Sequence, residues 1–86
     1  MREETVPGRY HWIDNGEDRG VMTLLPDHSF IGYAGRKTPD HRWEIARDAL
    51  LITWANNTDR FTQMESPGMY VSSQPNGRIV RMEKTP

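Results

Sequence analysis

Arg42-Trp43-Glu44-Ile45-Ala46-Arg47-Asp48-Ala49-Leu50-Leu51-Ile52-Thr53-Trp54-Ala55 is the stretch on which the fold turns. Its centre, with Ala46, Ala49, Leu50 and Leu51, is the one place in the chain that suits a helix, and a single turn near Ile45–Leu50 is the alternative to weigh. Two features favour strands. Ile52, Thr53 and Trp54 are strand formers, and Arg47-Asp48 interrupts the apolar run with a turn-like pair. Taken as two strands, the stretch alternates. Trp43 and Ile45 share a face opposite Arg42 and Glu44, and Leu50, Ile52 and Trp54 share a face opposite Leu51 and Thr53. An antiparallel pair with a tight connection follows, and no helix is left to place.

Working outward, turn signals recur at the spacing of an all-β barrel or sandwich. They are Asn15-Gly16, Pro26-Asp27-His28, a longer polar loop from Gly35 to Asp40, Arg47-Asp48, Asn56-Asn57-Thr58-Asp59, Ser66-Pro67-Gly68 and Pro75-Asn76-Gly77. Between them lie eight short strands, at about 9–14, 20–25, 29–34, 42–46, 50–55, 60–65, 69–73 and 78–83. Phe61 and Met64 break strict alternation in the sixth, which points to a bulge or a register change there. Connections this short require antiparallel neighbours, since a parallel crossover needs a dozen or more residues. The expected fold is therefore all-β: an antiparallel up-and-down meander of about eight strands, closed or nearly closed into a barrel. It forms one domain over 1–86, with its core at about 8–83 and flexible tails at 1–7 and 84–86.

The 86 residues suffice for one modest core. With no cysteine, disulfides and thiolate metal sites are excluded. Packing must come largely from the eight aromatic residues: Trp12, Trp43, Trp54, Tyr10, Tyr33, Tyr70, Phe30 and Phe61. The formal net charge of −1 argues against a strong pull on nucleic acid. Arginine outnumbers lysine nine to two, a skew that arginine-rich codon usage explains better than an anion site does. No run approaches the ~20 apolar residues of a membrane-spanning helix. The polar start, Met1 to Gly8, is unlike a signal peptide, so a cytoplasmic chain with no membrane partner is expected.

The order of aromatic residues carries a resemblance. Gly8-Arg9-Tyr10-His11-Trp12 opens the first strand. Gly20-Val21-Met22-Thr23-Leu24, Pro26-Asp27-His28-Ser29-Phe30, Arg42-Trp43-Glu44-Ile45 and Leu50-Leu51-Ile52-Thr53-Trp54 follow it. This order resembles the β-meander of the calycins, the lipocalin and avidin group, and short modules of that kind found alone or appended to bacterial enzymes. The resemblance implies a structural device in which Gly8 and Trp12 open the barrel and Arg78 or Arg81 of the last strand packs on Trp12 to close it. The chain is shorter than a typical lipocalin and its strands are brief. Its interior is therefore expected to be filled by side chains rather than hollow.

Chemistry-bearing patterns are sparse. His11, His28 and His41 fit no compact metal motif. There is no nucleophile elbow and no phosphate-cradling loop. No enzyme activity, catalytic residue, cofactor or metal is therefore expected, and a non-enzymatic binding or interaction module is the first expectation. The second is a carbohydrate or small-ligand site at the open end of the barrel, with Trp54, Asn56, Asn57 and Tyr70 as stacking and hydrogen-bonding residues. The third is single-stranded nucleic-acid binding by Arg36 and Lys37 flanked by Tyr33 and Trp43, which the charge balance disfavours. An incompletely closed barrel would also leave an edge strand for a homodimer or for docking on a larger protein.

The fold expectation makes a direct prediction. Trp12→Ala or Trp43→Ala should cost about 3–5 kcal/mol, enough to unfold a domain this small. Thermal melting checks it, and an unchanged melt would place that tryptophan outside the core.

Overall fold

In a computed structural model, which describes residues 2–85, the chain is a closed eight-stranded barrel in strict up-and-down order. The strands are β1 (Gly8–Asp14), β2 (Glu17–Leu24), β3 (Ser29–Ile31), β4 (Lys37–Ala46), β5 (Ala49–Thr53), β6 (Thr58–Gln63), β7 (Met69–Ser73) and β8 (Ile79–Lys84). A single 3-10 turn over Glu3–Thr5 precedes them. Among the described residues no helix is long and apolar enough to cross a membrane.

The deciding stretch folds as two strands. β4 and β5 pair antiparallel, with Trp43 opposite Ile52 and Ile45 opposite Leu50, around the two-residue turn Arg47-Asp48. Arg47 takes a positive φ of 59° there. Asn15 and Gly16 both have positive φ, 51° and 87°, as a two-residue hairpin turn requires. The ring is sealed where β8 returns to β1. Tyr10 lies opposite Lys84, Trp12 opposite Met82 and Asp14 opposite Val80. The bonds Asn15 N–H to Ile79 O (2.7 Å) and Thr85 N–H to Arg9 O (2.7 Å) extend the seam at both ends. Among the described residues the barrel is closed and offers no free edge strand, so the edge-pairing route to a dimer or a larger partner has no strand there to use.

Alternation fills the interior. Tyr10, Trp12, Met22, Leu24, Phe30, Trp43, Leu50, Ile52, Phe61, Tyr70, Val80 and Met82 point inward and are buried. No lumen of lipocalin depth is left, as eight short strands with this many aromatic residues dictate.

Several boundaries differ from expectation. The third strand stops at Ile31, because Gly32 turns the chain and its N–H bonds Arg36 O (2.9 Å). The fourth strand begins at Lys37, so Lys37 to Asp40 is strand rather than loop. It is a heavily bulged strand: two steps along β3, from Ser29 to Ile31, face five along β4, from Arg42 to Lys37. Pro39, lacking an N–H, sits in the bulge, where no ladder bond is asked of it. β6 keeps its alternation, with Asp59 and Phe61 inward, and Met64 falls outside it. The bulge is instead in β2, where Arg19 is the extra residue between Gly20 (opposite Trp12) and Asp18 (opposite Ile13).

The two ends of the barrel are unlike. The chain crosses at the lower end through 25–28, 47–48 and 64–68, and at the upper end through 15–16, 32–36, 54–57 and 74–78. The N-terminal segment, expected to lie outside the core, covers the lower end. Val6 is completely buried, and Tyr10 Oη donates to its carbonyl (2.6 Å). Lys84 Nζ donates to Thr5 O (2.9 Å) while its stem crosses Gly8, whose φ of +152° and missing Cβ leave room for it. His28 Nε2 meets Glu3 Oε1 at 3.0 Å. Burial, and then the neighbouring Tyr70, push the Tyr10 phenol well above its ordinary range, so it stays a donor.

Tyr10→Phe removes the donor and leaves the buried Val6 carbonyl unpaired. Urea unfolding should show a loss of about 1–3 kcal/mol. An unchanged midpoint would mean that the N-terminal cover contributes nothing to stability.

Candidate functional site

The upper end is where side chains with polar tips collect. Gly20, at φ +130°, makes the first element possible. A Cβ there would lie 3.1 Å from Tyr33 O, so glycine in β2 lets the 32–36 loop lie against the strand. Tyr33 then stacks on Trp12, with ring centroids 5.7 Å apart and planes 26° from parallel. Trp54, just beyond β5, presents its edge to Trp12 at 5.3 Å and to Tyr33 at 5.8 Å. It also closes on Phe30 (5.0 Å) and on His41 (5.1 Å), and His41 lies flat on Phe30. Tyr33 remains 39% exposed, so part of this side chain is open at the upper end.

A carboxylate holds Trp54 in place. Asp59 is only 8% exposed. Its Oδ2 accepts from Trp54 Nε1 (3.1 Å), and its Oδ1 accepts from Asn57 Nδ2 (3.0 Å) and Gln74 Nε2 (3.3 Å). Gln74 Nε2 also donates to the buried Ser72 Oγ (3.0 Å). Three donors satisfy a charge that would otherwise be costly to bury. The network occupies the place where β6 and β7 stop pairing. Their recorded backbone pairs are Thr62–Val71 and Gln63–Tyr70, and the side chains of Asp59, Ser72 and Gln74 bridge the strands above them.

At the rim, Arg78 donates through Nε (2.6 Å) and Nη2 to the two oxygens of Asp14, a bidentate pair with Arg19 at 4.0 Å behind it. The Arg78 hydrogen bond chiefly holds the Asp14 carboxyl below the usual range; burial opposes it, and the charges of Arg78 and Arg19 add to the lowering.

Two grooves flank Tyr33 and Trp54, and both residues line each. One, of about 230 Å³, is polar, with Asn57, Asp59, Gln74 and Arg78 in its walls. The other, of about 300 Å³, is apolar, with Gly32, Ala34, Thr38 and His41. Three buried polar atoms here, Trp12 Nε1, Thr38 Oγ1 and His41 Nδ1, find no hydrogen-bond partner among the described residues. Such atoms are uncommon in folded chains.

The expected site residues divide between the two ends. Trp54 and Asn57 stand together at the upper end, and Asn56 is exposed at the apex of the same loop. Tyr70 does not join them. It is the second residue of β7, at the lower end, is 2% exposed and packs on Tyr10 at 5.9 Å. Arg36 lines the apolar groove and Lys37 is exposed at the start of β4. Trp43, their expected stacking partner, is buried near the lower end, where it lies on His28 at 4.3 Å and donates to Leu25 O (2.8 Å). The closure by cation–π contact is not what forms. Arg78 is committed to Asp14, and Arg81 lies opposite Ile13 with Glu83 at 3.4 Å. The cation–π contact among the described residues is Lys84 over Tyr10, at 5.9 Å. The histidines are scattered. His11 meets Asp18 at 3.0 Å, and no three His, Asp or Glu side chains among the described residues are placed to hold a metal.

No protein-family model matches this chain, and neither a curated protein nor a solved structure matches it.

The Asp14 pair makes a pH prediction. A carboxyl whose pKa is lower folded than unfolded adds stability above the unfolded value, near 3.9, and loses it as pH falls through the folded one. Melting temperature should therefore drop below about pH 4, and Asp14→Asn should flatten that drop. Parallel acid profiles for the two proteins would contradict it.

Proposed function

We propose that this chain is a non-enzymatic binding module, a small calycin-like barrel that holds a small ligand against Tyr33 and Trp54 at its upper end. The observation that carries the proposal is the half-open Tyr33 ring lying between a polar and an apolar groove, beside polar atoms left without partners. A convergence of apolar wall and few polar groups is what small-molecule sites require. The calycin likeness rests on the single up-and-down circuit of eight strands and on Trp12 in the first of them. A ligand cannot enter the filled interior, so it is bound at the rim rather than swallowed.

The same geometry argues for binding without turnover. Asp59 is the one carboxylate in the polar groove, and its oxygens are already engaged by Trp54, Asn57 and Gln74. A general acid or base needs an oxygen free to exchange a proton with substrate. Here the carboxylate serves to position Trp54.

A fragment library screened by ¹H–¹⁵N correlation spectra tests this. Hits should move amides in 32–38, 54–59 and 74–80 together with the Trp54 indole N–H, and leave the Trp43 indole still. Tyr33→Ala should weaken such hits by about ten-fold, or ~1.4 kcal/mol. Hits confined to the lower end, or none at all, would contradict the proposal.

A further inference from the structure

Resting on that site, we infer that its ligand is an uncharged carbohydrate ring, seated with its C–H face on Tyr33 and its hydroxyls in the polar groove.

Charge comes first. Asp59 and Arg78 are the charged residues in the polar groove, one of each sign. A ligand carboxylate entering there would face Asp59, and a ligand ammonium would face Arg78. Arg78 is moreover already paired with Asp14, so its charge is largely compensated before any ligand arrives. A groove of this kind selects against net charge of either sign.

Hydrogen-bonding capacity comes second. Gln74 spends its Nε2 on Asp59 and Ser72, which leaves Oε1 as an acceptor. Asn57 donates to Asp59, which leaves Oδ1 as an acceptor and one N–H as a donor. Arg78 binds Asp14 through Nε and Nη2 and retains Nη1 as a donor. Tyr33 Oη does both. The wall thus offers acceptors and donors side by side. A carboxylate or phosphate uses donors alone, whereas each hydroxyl of a sugar gives one bond and takes others.

Shape comes third. Tyr33 is backed by Trp12 at 5.7 Å and braced by Trp54 at 5.8 Å, so its outer face is a supported platform. A groove of about 230 Å³ holds roughly eight waters' worth of matter, which suits one sugar ring with its hydroxyls rather than a chain. The apolar groove on the far side of Tyr33 is left for an uncharged substituent on that ring.

The test is an NMR titration of the whole chain with a matched set: glucose and N-acetylglucosamine, their charged counterparts glucuronate and glucosamine, and cyclohexanol. The neutral sugars should shift the Trp54 indole N–H, with the charged pair at least about ten-fold weaker. Tyr33→Ala should weaken sugar binding by about ten-fold with the chain still folded, and Tyr33→Phe, which keeps the ring, should weaken it less. If Tyr33→Ala does not fold, Asn57→Ala carries the same expectation of weakened binding. Glucuronate, glucosamine or cyclohexanol binding as well as glucose would overturn the sugar assignment and leave the site standing. So would silence from the whole set while fragments still bind there. Silence from sugars and fragments alike would overturn the site itself.

Discussion

The return of β8 to β1 is the constraint from which the rest of the molecule follows. With Trp12 set opposite Met82 and Asp14 opposite Val80, every strand among the described residues has two neighbours, and the sheet closes on itself. Closure also fixes which side chains face inward. Eight strands averaging about six residues enclose only enough space for their own rings and aliphatic chains. The interior is filled by buried side chains. The two ends receive different treatment from the chain.

The lower end is partly covered from within the sequence, with a groove of about 390 Å³ left among Arg2, Thr5, Gln63, Pro67, Tyr70 and Lys84. Val6, the Tyr10 hydroxyl and the Lys84 ammonium tie the segment before β1 across the opening, which converts a frayed terminus into part of the core. The upper end has no such cover. There the apolar interior gives way to Tyr33 and Trp54, and the gap between β6 and β7 is bridged by Asp59, Ser72 and Gln74 rather than by ladder bonds. A buried carboxylate is weak evidence of stability, since desolvation offsets much of what its hydrogen bonds contribute. What Asp59 supplies is orientation. It holds the Trp54 indole upright, and Trp54 in turn braces Tyr33.

Much of this was legible in the residues. Alternation at Trp43, Ile45, Leu50 and Ile52 separated strands from helix, and the turn residues Asn15-Gly16 and Arg47-Asp48 marked the hairpins where they occur. The failures have physical causes. Lys37 to Asp40 is polar, contains Pro39 and carries no apolar alternation, because the strand it forms is bulged and only loosely paired. Val6 gave no signal, because a single valine before a proline has no period. Tyr70 was separable from Trp54 by counting alone. Trp54 lies just past the end of the fifth strand and Tyr70 one residue into the seventh, and in a meander those positions lie at opposite ends. Asp59 was readable too: it shares the face of Phe61, and an acid on an inward face is seldom there without partners.

Amide hydrogen exchange tests the closed and one-sided barrel most directly. Closure predicts that the hydrogen-bonded amides of Trp12 to Asp14 and Val80 to Met82 exchange only as slowly as global unfolding allows, alongside those of Leu50 to Ile52. Tyr33 to Arg36 and Asn56 should exchange orders of magnitude faster. Fast exchange along β1 and β8 would show a seam that opens, and with it an edge strand and an accessible interior that this account denies.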